Sequence, residues 1–134
     1  MPGVGAATAP WLLVLLHRWA VRTDGQGRTK GLVAYVGLDP QPYESGTSVH
    51  RRARISHQGA KDLRRRLYYA AFGGVRGQNA LRAFYERLVG RRKPKRLALV
   101  ACARKLLVWA WAVFRTRTAF DPQRASRQRT AVAA

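Results

Sequence analysis

The chain has 134 residues, room for one domain of ordinary size, and its hydrophobic fraction of 47% is enough for a core and excludes wholesale disorder. Twenty-six Lys and Arg against six Asp and Glu give a formal net charge of +20, an excess that opposes compaction and calls for a polyanionic partner. Cys102 is the single cysteine, which excludes an internal disulfide and a cysteine-based zinc site.

The charge is uneven. Residues 1–57 hold 7 basic and 3 acidic side chains, residues 58–134 hold 19 and 3. Of the 26 cations 21 are Arg, whose planar fork takes phosphate oxygens in pairs. His17, His50 and His57 have no metal-ligand spacing, and the six acidic residues, at 24, 39, 44, 62, 86 and 121, form no pair suited to a two-metal site.

In chain order, Pro2-Gly3-Val4-Gly5 reads as a tight turn, followed by an apolar helix from about Ala6 to Val21 with Pro10 in its first turn. The apolar start lacks the basic flank of a signal peptide. Thr23 to Gly27 is a polar break, and Thr29 to Tyr35 a short helix ending near Gly37. From Gly37 to His57 the prolines, Gly46, hydroxyls and the run His50-Arg51-Arg52-Ala53-Arg54 read as one long loop. Ser56 is a candidate N-cap for a helix whose apolar stripe is Ala60, Leu63, Leu67, Ala70, Ala71 and Val75, with Arg64, Arg65 and Tyr68 falling off that stripe. Gly73-Gly74 and Gly77 weaken or end it. A helix from Asn79 to Val89 turns Leu81, Phe84, Tyr85 and Leu88 inward, and Gly90 to Arg96 is a basic connector.

Lys95 to about Arg115 is apolar on nearly every side, as a central bundle helix would be. Its Leu97–Phe114 stretch is long enough to span a membrane, but Arg104 and Lys105 lie at its middle, where each charge costs roughly 2.5–3.5 kcal/mol on insertion scales. It therefore reads as the buried helix of a soluble, cytoplasmic protein with no membrane partner. Arg104 and Lys105 either snorkel to the surface or point into a functional groove. Residues 121–134 lack apolar period and read as a disordered basic tail. The expectation is an all-α small helical bundle: a helix-hairpin-helix-like segment over 1–36, a domain over 37–120 made of the 37–57 loop plus helices, and the tail.

Three features carry chemistry. A Pro-Gly-Val-Gly turn before a helix lets the backbone of Gly3 and Gly5 approach a phosphate at the helix start. Arg64, Arg65 and Arg66 beside Tyr68 and Tyr69 form a phosphate-binding face with interleaved aromatics, which Arg91, Arg92, Lys93 and Lys95 of the connector and the Arg104-Lys105 pair extend. The Glu44-Ser45-Gly46 stretch offers a hydroxyl, and Arg51, Arg52 and Arg54 could neutralise a phosphate beside it. On residue chemistry alone that stretch is a solvated loop with a Ser-Gly turn, since no general base stands next to Ser45.

Taken in order, the runs LVAYVGLDPQPYESGTS, RARISHQGAKDLRRRLYYAA, LRAFYERL and GRRKPKRLALVACARKLLVWAW resemble the C-terminal domain of the insertion-sequence 110 family of transposases, and Pro2-Gly3-Val4-Gly5 fits the segment that precedes it. The resemblance implies a DNA recombinase that moves its own element. It implies Ser45 as the nucleophile that links to DNA, a guide (bridge) RNA as a second partner, and a homo-oligomer. Magnesium would be held not by this chain but by an N-terminal acidic domain. That domain is absent from this sequence, so a truncated product inactive alone is expected. His57 and Gln58 stand where the family pattern carries Lys or Arg. A non-catalytic basic RNA- or DNA-binding protein is the rival reading. A membrane-active amphipathic protein is disfavoured, because the cations are not segregated from a single apolar face.

Overall fold

The computed structural model describes residues 1–41, 44–45, 49–50, 54–55 and 61–127, and the burial of side chains over 1–39 and 61–125. Its described residues form six helices: α1 (Ala9–Arg22), α2 (Thr29–Val36), α3 (Lys61–Gly74), α4 (Ala80–Gly90), α5 (Lys95–Thr116) and α6 (Pro122–Arg127). The expected all-α class holds.

α5 is the axis of the bundle. α1, α2, α3 and α4 all pack on it, and it buries Ala98, Leu99, Cys102, Ala103, Leu106, Leu107, Trp109, Ala110 and Trp111. A helix apolar on nearly every side has no solvent face to offer, so neighbours must close over it. One core joins the whole chain: Leu12, Leu15, Leu16 and Trp19 of α1, Leu32, Val33 and Val36 of α2, Leu67 and Ala71 of α3, and Leu81 of α4 meet the α5 side chains in a single cluster. The first 36 residues thus share their core with the rest. α5 is also long and apolar enough to cross a membrane, but just over half of that stretch (56%) lies buried inside the bundle.

Local chemistry sets the joints. α2 ends on Gly37 in the left-handed region at φ 82, where the Gly37 N–H donates to Ala34 O at 3.0 Å and the Leu38 N–H to Val33 O at 3.0 Å. This glycine-closed end, with buried Leu38 after it, turns the chain out of the bundle toward Pro40. Asn79 ties α3 to α4: its Oδ1 accepts from the Arg82 N–H at 3.0 Å and its Nδ2 donates to Gly74 O at 2.8 Å.

Two expectations are corrected. The 37–57 segment contains four two-residue strands, β1 (Pro40–Gln41), β2 (Glu44–Ser45), β3 (Val49–His50) and β4 (Arg54–Ile55). β1 pairs antiparallel with β4, and β2 with β3 inside them. Strands this short show no alternation long enough to detect. The tail is not uniformly irregular either, because residues 122–127 form α6. Asp121 accepts from the Gln123 N–H at 2.9 Å and Pro122 opens the helix, an Asp-Pro start that was legible in sequence. Phe120 packs on Trp109, ring centroids 5.2 Å apart, and buried Ala125 joins the core. The proposed cap Ser56, the stripe residue Ala60, and residues 128–134 lie outside the described residues.

Candidate nucleic-acid interface

Ser45 and the arginines around it belong to the nested strands. Ser45 pairs with Val49, so it is the last paired residue before the three positions 46–48, and Glu44 pairs with His50. Arg54 pairs with Gln41 in the outer ladder. The outgoing arm has two residues between its pairs and the return arm three, so one arm carries an extra residue. The backbone therefore brings the return arm, which carries Arg54, back alongside the arm that carries Ser45. Arg51, Arg52, His57 and Gln58 lie outside the described residues.

α3 carries the second element. Burial of Leu67, Ala70, Ala71 and Gly74 turns the opposite side of the helix outward. Residues 65, 69 and 72 follow at helical spacing along that outer side, and Arg76 comes in the turn just after the helix. They form a ladder of cations and rings: the Arg65 guanidinium lies 5.8 Å from the Tyr69 ring centre and the Arg76 guanidinium 4.7 Å from Phe72. Tyr69 is 59% and Phe72 42% exposed.

A groove opens between this ladder and the start of α1. Thr8, Trp11, Asp62, Arg65, Arg66 and Tyr69 line its open volume of about 640 Å³. Gly3, in the turn before α1, packs directly on α3. It sits at φ 76 against the α3 backbone, where a Cβ would collide with the Ala70 carbonyl. The Val4 N–H closes the expected turn onto Met1 O at 3.3 Å. The turn thus seats α1 beside α3, and Arg66 reaches across to place its guanidinium 5.8 Å from the Trp11 ring centre.

The residues expected at the interface separate accordingly. Arg65 is exposed, as are Arg91, Arg92 and Lys93 of the connector between α4 and α5 and Lys95 at the start of α5. Arg64 is half-buried and already engaged with another group, so Arg66 replaces it as the outward arginine. Tyr69, not Tyr68, is the exposed ring. The sequence signal for Arg66, Tyr69 and Trp11 was available in part: counting the wheel from Leu67 puts Tyr69 outward, but only the fold brings Trp11 alongside.

One expected contact is overturned. Lys105 is 2% exposed, with its ammonium 4.3 Å from the Phe84 ring centre, so it faces the core and not a nucleic acid. Gly3 packs on α3 and also lines the groove, while Gly5 is exposed with open space about its Cα. Arg104 is half-buried, and that burial lowers its pKa from the ordinary guanidinium value. Beside Lys105, burial pushes the Cys102 thiol up to about 12, the ammonium charge pulling the other way. Among the described residues no three His, Cys, Asp or Glu side chains converge.

Fold and surface define a small, mainly helical module with an arginine-aromatic face and two short strand pairs carrying a serine-bearing arm. The chain belongs to the IS116/IS110/IS902 family of transposases, which it matches over residues 1–86, from the opening turn into α4. It is 35% identical over 124 residues to pilin gene-inverting proteins of Moraxella lacunata and Moraxella bovis, matching 90% of this chain and 37% of each relative. It is 33% identical over 125 residues to an uncharacterized 43.6 kDa protein of insertion element IS110 from Streptomyces coelicolor, 90% of this chain and 29% of that protein. The chain thus spans between 29% and 37% of the length of these relatives.

Proposed function

We propose that this chain is the DNA-handling segment of a recombinase, holding the phosphate backbone on its cationic surface and supplying Ser45 as the attacking hydroxyl. The observation that carries the reading is the position of Ser45 at the innermost pair of the nested strands, in a chain of a transposase family. Relatives named for inverting a pilin gene favour rearrangement of DNA as the outcome.

The chemistry is a phosphoryl transfer. Ser45 Oγ attacks a backbone phosphorus, an Oγ–P bond forms, and the P–O bond to one deoxyribose breaks, releasing that sugar hydroxyl. The phosphodiester energy is kept in the protein–DNA link, so a freed hydroxyl from another strand can reverse the step and rejoin DNA. Arg51, Arg52 and Arg54, which follow Ser45 within ten residues of sequence, would stabilise the charge gathering on the phosphate. A serine hydroxyl also needs its proton removed, and no base adjoins Ser45 in sequence. The activating groups, magnesium with its acidic residues among them, belong in this reading to a separate domain of a complete protein. A guide RNA and a second copy complete the proposed assembly. Gly5 and the exposed start of α1 remain the anion-facing part of the helix-hairpin-helix-like segment in this reading.

Two measurements test it. Alone, the chain binds duplex DNA with log K falling against log salt at a slope near −5, for about six neutralised phosphates at about −0.9 each. Mixed with a complete family member that supplies the acidic domain, it forms a covalent DNA adduct that Ser45→Ala removes without changing binding. An adduct that survives Ser45→Ala, or moves to Ser48, rules out Ser45. Binding with no adduct in any mixture leaves a non-catalytic nucleic-acid-binding protein.

A further inference from the structure

We infer that the outer face of α3 and the groove beside it bind an unpaired DNA strand, its bases stacking on Trp11, Tyr69 and Phe72 while Arg65, Arg66 and Arg76 hold its phosphates. The inference rests on reading the chain as DNA-handling, and adds what form of DNA this surface takes.

Three observations point to an unpaired strand. First, exposed rings are costly in water, yet Tyr69 and Phe72 stand 59% and 42% exposed on one helix face and Trp11 is half-exposed in the adjoining groove. Second, each ring already has a guanidinium near it: Arg65 by Tyr69, Arg76 by Phe72, Arg66 by Trp11. That alternation matches a strand that alternates flat bases with phosphates. Third, Tyr69 and Phe72 are three residues apart, about 4.5 Å of helix rise, so neighbouring bases can meet successive rings.

A duplex would use the same arginines but leave the rings idle, because its base faces are already stacked on one another. A protein partner fits less well, since burying three guanidiniums would demand matching carboxylates at an interface core that normally excludes charge. Asp62 at the groove edge tells against saturating the groove with phosphate and leaves Arg65 and Arg66 to take one backbone turn between them. Recombination exposes unpaired strands as strands part and exchange, which gives such a surface its use.

The test uses the full chain, a 12-nucleotide oligo(dT), a duplex of the same length and oligo(U). Trp19, Trp109 and Trp111 are buried, so quenching of tryptophan emission by a stacked base reports on Trp11. Oligo(dT) quenches the wild-type chain, and Trp11→Phe, which keeps a ring for packing, loses that quenching. Tyr69→Ala weakens oligo(dT) binding about 10-fold and leaves duplex binding within about 2-fold, as a lost stacking partner should. Circular dichroism confirms that the variants keep their helices. Quenching that persists in Trp11→Phe overturns the inference, as does an equal loss on duplex and single strand in Tyr69→Ala. Binding of oligo(U) without oligo(dT) overturns it in favour of RNA. Duplex binding without single-strand binding defeats this inference alone, whereas no binding to either DNA also defeats the proposed function.

Discussion

Cations lie over aromatic rings in two regions of this molecule with opposite consequences. On α3 and the turn after it, Arg65 and Arg76 sit by Tyr69 and Phe72 in water, where their charges remain open to a partner. On α5, Lys105 sits 4.3 Å from the centre of Phe84 and 5.7 Å from Trp109, sealed in the core. The residue types are alike, but the solvent is not. Water screens the surface pairs and makes each worth little to stability. In the core the ammonium has lost its hydration, and the ring faces with its other interactions must hold it. A cation in a sequence is therefore a ligand contact only when its helix turns it outward.

The comparison can be broken from the inside first. Lys105→Glu puts a carboxylate against the electron-rich faces of Phe84 and Trp109, with no water to solvate it. We expect a loss of about 3 kcal/mol or more, seen as a fall in thermal midpoint of about 10 °C or complete unfolding. Lys105→Met, similar in size and uncharged, should keep the fold and leave DNA affinity unchanged. A drop in affinity with Met would place Lys105 at the interface after all.

From the outside, Arg65→Gln with Arg66→Gln should leave the thermal midpoint alone and flatten the salt dependence of duplex binding by about 2 units of slope. An unchanged slope would mean that these charges are only solvated.

The thiol beside Lys105 gives a smaller, pH-dependent effect. Cys102 holds its proton more tightly folded than unfolded, so its stabilising contribution is complete below the ordinary thiol range, near pH 8.5. It is lost as pH climbs toward about 12. Denaturant midpoints should therefore fall across that window in the wild type and less in Cys102→Ala, each compared with its own neutral-pH value. A parallel fall in both would remove Cys102 as the cause.

The smallest effect belongs to Arg82 and Glu86, an exposed pair one turn apart at 2.9 Å. Glu86→Ala should cost only about 0.3–0.5 kcal/mol, read from urea midpoints. A loss above about 1 kcal/mol would show that a surface pair here behaves like a buried one.

Much of the fold was readable without coordinates. The apolar periods of α3, α4 and α5, the polar break at Thr23–Gly27 and the glycine end of α2 all follow from local rules, and the helices lie within a few residues of where those rules put them. The strand pairs were not readable, because two-residue ladders have no period. α6 was readable in Asp121-Pro122 but was masked by a tail rich in Arg, Gln and Ser. At the candidate site, the exposed Arg65 and the connector cations were legible from charge and phase. Arg64 and Lys105 were misplaced because helix phase alone does not say which neighbours close over a flank.

The sequence by itself determined what is local or summed: a +20 surface that seeks a polyanion, five helical stretches, and the ordered runs that mark the transposase family. The tertiary structure decided what depends on distant neighbours. It buried Lys105 under Phe84, pressed Gly3 onto the Ala70 backbone, and so brought Trp11 within reach of Arg66 across 55 positions of chain. The physical reason is that solvation is set by everything packed around a side chain, and no stretch of sequence contains its own surroundings.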